Sequence, residues 1–325
     1  MKKFVMLDAH TLPEADYHQE KEILEGQVQC VIANCKSLDD IKREAFDADY
    51  IGVVYQKITD EVLDLMPNLK LIVRYGIGYD VVDVDACSKR NILVCNIPTY
   101  CIEDVATHAA ALMLDVVRKV TMYDREIKDG NWDVSYGYDN HRLSAQTVGL
   151  IGFGNIAQKL CTYLKVFGSN IIAYDPFLDD SVFEKYEVKK VSLDEIFSLS
   201  DIISLHCACT PQTKHIINKD NICKLKDGVL LVNTSRGALV ENQALIEALK
   251  SGKIAAAGLD VNEDEPIKDN SHPLLSLKNL VITPHSAYNS VEASDEQHKD
   301  AAKTVLNVDR GEIPFNCVNK KFLNI

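Results

Sequence analysis

The chain has 325 residues, a length that at roughly 150 residues per domain suggests about two domains. Hydrophobic residues make up 46% and charged residues 26%, the proportions of a globular protein, which exclude a disordered, collagen-like or small disulfide-scaffold chain. Against 35 Lys and Arg stand 48 Asp and Glu, a net charge of −13 with no basic run, so nucleic acid is not an expected partner.

The first apolar run, Lys3–Leu7 before Asp8, is too short for a secretory leader, which needs about 7–15 apolar residues, and reads as a strand. Further strands are predicted at Ile51–Tyr55, Leu71–Arg74 and Ile92–Cys95. A second series follows at Thr147–Ile151, Ile171–Tyr174, Ile202–Leu205, Val229–Asn233, Ala256–Leu259 and Leu280–Thr283. Between them lie helix patterns at Asn155–Phe167, Leu193–Leu199 and Asn242–Ser251. Short Val-, Ile- and Leu-rich strands separated by helices predict parallel sheets covered on both faces. The expected class is α/β with two doubly wound parallel-sheet domains. The longest helix signal, Ile102–Lys119, is apolar on nearly all sides and should be buried between layers or between subunits. The polar and aromatic stretch Thr121–Ala145, with Trp132, Tyr136 and Tyr138, reads as an arm crossing from one unit to another.

Ten cysteines, at 30, 35, 87, 95, 101, 161, 207, 209, 223 and 317, form no CxxC pair. In a long, core-rich chain they point to reduced thiols and a cytoplasmic location. No run approaches the roughly 18 apolar residues of a membrane span.

The strand at Thr147 runs into Gly152, Gly154 and the helix beginning Asn155-Ile156-Ala157, a GxGxxA turn. There one glycine permits the tight turn, the next admits a pyrophosphate, and the small third residue allows close packing of helix on strand. Asp175, at the end of the next strand, is placed to accept hydrogen bonds from ribose hydroxyls. A 2′-phosphate about 5 Å away would meet a repulsion on the order of 3 kcal/mol at an effective dielectric near 20, and no Arg follows to receive it. The expected cofactor is NAD.

Three blocks follow predicted strands: Asn233 to Gly237 with Arg236, Asp260 to Pro266 with Glu265, and Thr283 to Ser286 with His285. Strand ends of an open parallel sheet converge on one crevice, so these residues can meet. Oxidation of a 2-hydroxy acid needs a base near neutrality, the chemistry of an imidazole; a carboxylate on its far nitrogen orients it, and a guanidinium fork suits a carboxylate. His206-Cys207-Ala208-Cys209 has poor zinc spacing, and no metal is expected.

The set GxGxxA with Asp175, Arg236, Glu265-Pro266 and Pro284-His285 resembles the D-isomer-specific 2-hydroxyacid dehydrogenase family over nearly the whole chain. Arg74, the Val53 to Gln56 segment and the ending Asn316-Cys317-Val318-Asn319-Lys320 are most similar to its branch of phosphoglycerate dehydrogenases and C-terminal-binding proteins, although Tyr288 stands where the latter carry Trp. The resemblance implies Arg236, Glu265 and His285 as catalytic residues. It implies an NAD-binding Rossmann domain at 101–289, including a dimerisation helix and arm. That domain would be inserted in a flavodoxin-like substrate domain made of 1–100 and 290–325, and two chains would form a homodimer. It adds His206, Cys207, Thr210, Thr234, Ser235, Arg236, Asp260 and His285 to the cofactor contacts begun by Gly152, Gly154, Asn155, Ile156 and Asp175. It assigns substrate binding to Tyr55, Gln56, Arg74, Tyr75, Gly76, Ile77 and Gly78, together with Arg236 and His285. The expected reaction is hydride transfer between NAD(H) and a D-2-hydroxy acid or its 2-oxo acid. The candidates are 3-phosphoglycerate/3-phosphohydroxypyruvate, the leading pair for such a sequence, and hydroxypyruvate or glyoxylate. The alternatives are an NAD-sensing corepressor-like binding protein and a phosphite dehydrogenase.

Overall fold

The computed structural model describes residues 1–12, 17–137 and 139–323; Tyr138 of the expected arm lies outside the described residues. The chain divides into two compact units, Met1–Cys101 with Ser290–Ile325, and Ile102–Asn289. In the first, strands β1 (Lys2–Met6), β2 (Val28–Ile32), β3 (Tyr50–Val53), β4 (Leu71–Arg74) and β5 (Leu93–Cys95) alternate with helices α1 (His18–Leu24), α2 (Leu38–Ala45), α3 (Asp60–Leu63) and α4 (Val84–Lys89). All strands are parallel in the order β2-β1-β3-β4-β5, the flavodoxin-like arrangement. Strand β3 is buried throughout and β4 except at Arg74, as apolar strands covered on both faces must be. Strand β2 is not among the predicted strands, although Val28, Cys30, Val31 and Ile32 are apolar; it is an edge strand whose only fully buried residue is Val28.

The second unit opens with α5 (Ile102–Arg118), continues through α6 (Val120–Lys128), and builds β6 (Thr147–Ile151), α7 (Asn155–Val166), β7 (Asn170–Tyr174), α8 (Asp180–Lys185), β8 (Lys189–Lys190), α9 (Leu193–Leu199), β9 (Ile202–Leu205), β10 (Val229–Asn233), α10 (Asn242–Ser251), β11 (Ile254–Leu259) and β12 (Leu280–Ile282). The parallel order β12-β11-β10-β9-β6-β7-β8 reverses direction between β6 and β9, the Rossmann arrangement extended by one strand. Strand β8 is two exposed lysines, an edge that gives no hydrophobic signal and resists further pairing. Local signals are explicit at α9, where Ser192 and Glu195 form a reciprocal capping box. Helix α5 buries Val105, Ala106, Ala109, Leu112, Met113, Val116 and Val117, and Leu112 rides over Gly258 of β11, where a Cβ would lie 3.0 Å away.

The arm expected at Thr121–Ala145 begins instead as helix. Asp115, from the last turns of α5, accepts the Thr121 N–H at 2.8 Å and starts α6 after a left-handed Lys119. That cap comes from outside the helix's own segment, so no local motif announces it.

The chain then returns to the first unit through α11 (Val291–Asp309), capped by Ser290, whose hydroxyl accepts from the Ala293 N–H. Here a fully buried polar network joins three elements. Glu20 of α1 receives the Tyr75 hydroxyl at 2.7 Å, and His298 Nδ1 of α11 lies 2.6 Å from the same oxygen. Burial, reinforced by the charge and hydrogen bond of Glu20, pushes the Tyr75 phenol well above its ordinary range. Glu20→Ala would strand two buried polar groups and should cost about 3–5 kcal/mol in urea unfolding; a loss below about 1 kcal/mol would show that the pocket satisfies them otherwise.

Candidate active site

The glycine turn after β6 fits a dinucleotide. Gly152 has φ +87°, and a Cβ there would stand 2.7 Å from the Cys207 nitrogen at the end of β9, so only glycine lets the two strand ends meet. Gly154 caps α7 with nothing within 4 Å of its missing Cβ, and no side chain caps the amides of the first turn at Asn155 and Ile156. A 12-residue helix with an uncapped, glycine-bared N-terminus has room and unpaired amides for a pyrophosphate. Asp175 follows β7; its two oxygens accept the Phe153 and Phe177 N–H groups, each at 3.0 Å, fixing a carboxylate beside the turn with lone pairs remaining for hydroxyls.

The other expected cofactor residues gather at the ends of β9 and β10, with mixed side-chain roles. His206 turns its Nε2 to Ser204 at 2.8 Å, and burial lowers it to about 4, so it is neutral near pH 7 and is no acid–base group there. Burial pushes the Cys207 thiol up to about 12. Thr210 lies exposed in a turn closed by Thr213. Ser235 gives its hydroxyl to the Leu205 carbonyl at 2.9 Å, whereas the buried Thr234 hydroxyl has no hydrogen-bond partner among the described residues and is available to a bound group.

Arg236, Glu265 and His285 follow β10, β11 and β12, and the fold brings them together. His285 Nδ1 lies 3.0 Å from Glu265 Oε1, and Glu265 Oε2 accepts the Asn262 N–H at 3.1 Å. Burial would raise the Glu265 carboxyl, but the His285 hydrogen bond and charge, the Asn262 amide and the charge of Arg236 together hold it below its ordinary value. Arg236 is half-buried, with one guanidinium nitrogen 2.8 Å from the Ser235 carbonyl.

Two residues make this meeting possible. Gly237 lies flat against the Asn262–Glu263 backbone: a Cβ would be 2.0 Å from the Asn262 carbonyl carbon, so the Arg236 turn can press on the Glu265 loop only without a side chain. Asp260, expected to touch the cofactor, is 1% exposed. Its carboxylate accepts the Ser286 and Ala287 N–H groups, both at 2.9 Å, and the Thr283 hydroxyl, while its carbonyl accepts the His285 N–H at 2.7 Å. His108 of α5 closes the group, with Nε2 2.9 Å from the Thr283 hydroxyl and 3.5 Å from Asp260. This clamp holds His285 at φ +55°, a left-handed conformation that non-glycine residues seldom adopt.

In the first unit the expected substrate residues collect at the ends of β3 and β4. Asp8, which sequence reasoning passed over, is buried and accepts the N–H groups of Val54 at 2.9 Å and of Tyr55 and Gln56 at 2.7 Å, shaping that loop. Its only signal was an acidic residue directly after a strand. Gly76, at φ +139°, lies beneath the Arg74 guanidinium, which fills the space a Cβ would take. The Gly76 and Ile77 carbonyls are tied to the Ile97 N–H and the Asn96 side chain at 3.0 and 2.7 Å. Gly78 completes the loop, partly exposed. Tyr75 does not join this surface: its side chain is buried on Glu20 and its N–H is taken by Val53, so it supports the loop from beneath.

A family model described as D-isomer specific 2-hydroxyacid dehydrogenase, NAD binding domain, matches residues 110–287. The chain is 36% identical to a hydroxypyruvate reductase of Blautia hydrogenotrophica, over 98% of this chain and 100% of that protein. It is 37% identical over 92% of its length to a D-3-phosphoglycerate dehydrogenase of Methanocaldococcus jannaschii, but spans only 57% of that protein. A crystal structure of D-lactate dehydrogenase from Aquifex aeolicus, complexed with NAD and lactic acid, superposes with a TM-score of 0.86 at 32% identity, covering 98% of this chain and 99% of that one. The chain belongs to the D-isomer specific 2-hydroxyacid dehydrogenase family, and its Rossmann unit contains the family's NAD-binding domain.

Asp260→Ala would release two turn amides and a hydroxyl at once. The expected outcome is a loss of about 2–3 kcal/mol in urea unfolding together with faster amide exchange at Ser286 and Ala287; unchanged exchange would show that the turn holds without the clamp.

Proposed function

We propose that this D-isomer specific 2-hydroxyacid dehydrogenase reversibly reduces a small 2-oxo acid of the hydroxypyruvate or glyoxylate kind, with His285 as its acid–base group. The observation that carries the reading is the His285–Glu265 hydrogen bond beside Arg236. The choice of an unphosphorylated acid is supported by the 36% identity to a hydroxypyruvate reductase over 98% of this chain.

When bound, NADH supplies the hydride that reaches C2 of the oxo acid. His285, with Nδ1 turned to Glu265, exchanges a proton with the substrate oxygen through Nε2. Glu265 titrates below the ordinary carboxylate range, so it stays ionised and stabilises the imidazolium on which reduction draws. Arg236 offers its guanidinium to the oxygen that gains negative charge and to the substrate carboxylate. Gly237 and Asp260 set the spacing of these three. In the first unit we assign carboxylate recognition to Arg74 and the amides of Gly76, Ile77 and Gly78, and recognition of the rest of the acid to Tyr55 and Gln56. Gly152, Gly154, Asn155, Ile156 and Thr234 would hold the dinucleotide phosphates and nicotinamide side, with Cys207 and Thr210 along its adenine half and Asp175 on the ribose.

A homodimer is part of this reading. The segment from α6 onward exposes Val120, Val134 and Trp132, the last 91% accessible, an apolar set suited to a second copy of the chain. Among the described residues no helix is long and apolar enough to cross a membrane. We place the protein in the cytoplasm because its ten cysteines are free thiols.

NADH oxidation against hydroxypyruvate, glyoxylate, pyruvate and 3-phosphohydroxypyruvate tests the substrate class. The expected result is turnover of one or both of the first two, and exclusive use of the phosphorylated acid would overturn the substrate assignment. His285→Ala should lower kcat by about 10²–10⁴ while NADH affinity stays within about twofold; near-normal turnover removes His285 from the chemistry. With Asp175 in place, kcat/KM for NADH should exceed that for NADPH by about a hundredfold, and Asp175→Ala should narrow the gap. Equal use of both cofactors by the unaltered protein would contradict the ribose assignment.

A further inference from the structure

The Asn316 to Lys320 segment takes no part in the chemistry above, yet it is built closely into the first unit. Residues Asn316 to Asn319 run antiparallel to the end of β5. The Asn96 N–H reaches the Asn316 carbonyl at 3.3 Å and the Val318 N–H reaches the Val94 carbonyl at 2.8 Å. The Asn319 side chain accepts the Val94 N–H at 2.9 Å and donates to the Ile92 carbonyl at 2.8 Å. These bonds flank one directly opposed pair, Cys95 and Cys317. Because the bonds run between the residues on either side of it, the pair occupies the narrow, non-hydrogen-bonded site of an antiparallel ladder. There Cα atoms stand about 4.5 Å apart and side chains approach most closely. That spacing lies within the range of about 4.4–6.8 Å that a disulfide requires, so the bond can form without moving the backbone.

We infer that Cys95 and Cys317 form a reversible disulfide when the protein meets a peroxide, fastening the C-terminal segment covalently to β5.

The two thiols are unequal in the way the reaction needs. Cys95 is fully buried, while Cys317 is partly exposed. A hydrogen bond from Cys95, with further help from the Asn319 and Val94 backbone groups and Lys320, outweighs burial and draws Cys317 down to about 7; Cys95 is raised by the same hydrogen bond and by burial. Cys317, whose S–H rests on the Asn319 Oδ1 at 3.3 Å, is the accessible sulfur of the pair and, once deprotonated, the first to react. The Cys317 thiolate attacks the peroxide, an S–O bond forms as the O–O bond breaks, and the leaving hydroxide takes a proton to become water. The Cys95 sulfur then attacks the Cys317 sulfenic acid. The S–S bond forms, the S–O bond breaks, and the departing hydroxide carries off the Cys95 proton as a second water. Two thiols are oxidised and one peroxide is reduced. The neighbouring residue, Asn96, holds the Ile77 carbonyl, so the fastened strand end is the one that braces the Arg74–Gly78 loop.

The test treats the full-length protein with hydrogen peroxide, blocks remaining thiols with N-ethylmaleimide, and maps unreduced peptides by mass spectrometry. The expected result is a linked peptide pair containing Cys95 and Cys317, lighter than its parts by two hydrogens, with a thiol titre lower by two per chain and restored by dithiothreitol. Finding Cys95 alkylated while Cys317 is converted to sulfinic acid, or either residue linked to a different cysteine, overturns the proposal. Cys317→Ser, at a partly exposed position, should abolish the linked pair and the two-thiol loss, whereas Cys223→Ser, at an exposed cysteine outside the pair, should leave both intact. Retention of the two-thiol loss in Cys317→Ser also overturns it.

Discussion

A carboxylate that is 1% exposed holds the chemical end of the Rossmann unit in place. Burying Asp260 would be costly if its oxygens lacked donors, but two backbone amides and a hydroxyl from the segment after β12 supply them. The arrangement works in both directions. The amides satisfy the charge, and the charge compels the segment to turn back on β11, which places His285 in a left-handed conformation with its ring on Glu265. The histidine's position is thus set by a neighbouring strand, and only secondarily by its own. Glu265 lies on the loop that Asp260 begins, and the Arg236 turn rests on that loop through Gly237.

The first unit repeats the device. Asp8 ends β1 as Asp260 ends β11, is equally buried, and collects three consecutive amides from the loop after β3. In both units a carboxylate at one strand's carboxyl end organises the loop of the next strand over. Parallel sheets favour this, since their strand ends lie side by side and leave loop amides unpaired along one edge. A buried acid is a compact way to satisfy several of them and gives a loop one conformation where a solvated loop would have many.

The strands that make the two sheet centres, the glycine turn and the three strand-end blocks were legible in the sequence because each is a local pattern: a continuous apolar run, a fixed glycine spacing, a charged residue after a strand. Most of what escaped has no local pattern. Strand β8 is two lysines and does not depart from loop composition, whereas β2 is apolar at four of its five positions and was passed over despite that run. Helix α6 is started by Asp115 from another helix. Asp260 carries the correct residue type in a motif that suggests a ligand, but its donors come from residues 283–287, and only the folded chain shows that they consume it. Tyr75 is similar: its place in a glycine loop suggests contact with a substrate, whereas its partner Glu20 lies 55 residues earlier. Gly237 reads as an ordinary turn glycine until the Asn262 backbone is found 2.0 Å from its missing side chain.

The pairing of His298 with Glu20 spans 278 positions of sequence, and it bears on the order in which the chain acquires structure as it is made. Residues 102–289 are contiguous, so the Rossmann unit holds every strand it needs before α11 leaves the ribosome. The first unit emerges earlier, but its α1 waits for α11 and the edge of β5 for residues 316–319, leaving apolar surface and strand amides uncovered until residues 291–319 have been made. Domains fold as they become complete. Of these two units the one begun earlier is completed later, and the interval during which β5 stands open is the time needed to translate the whole of the other unit.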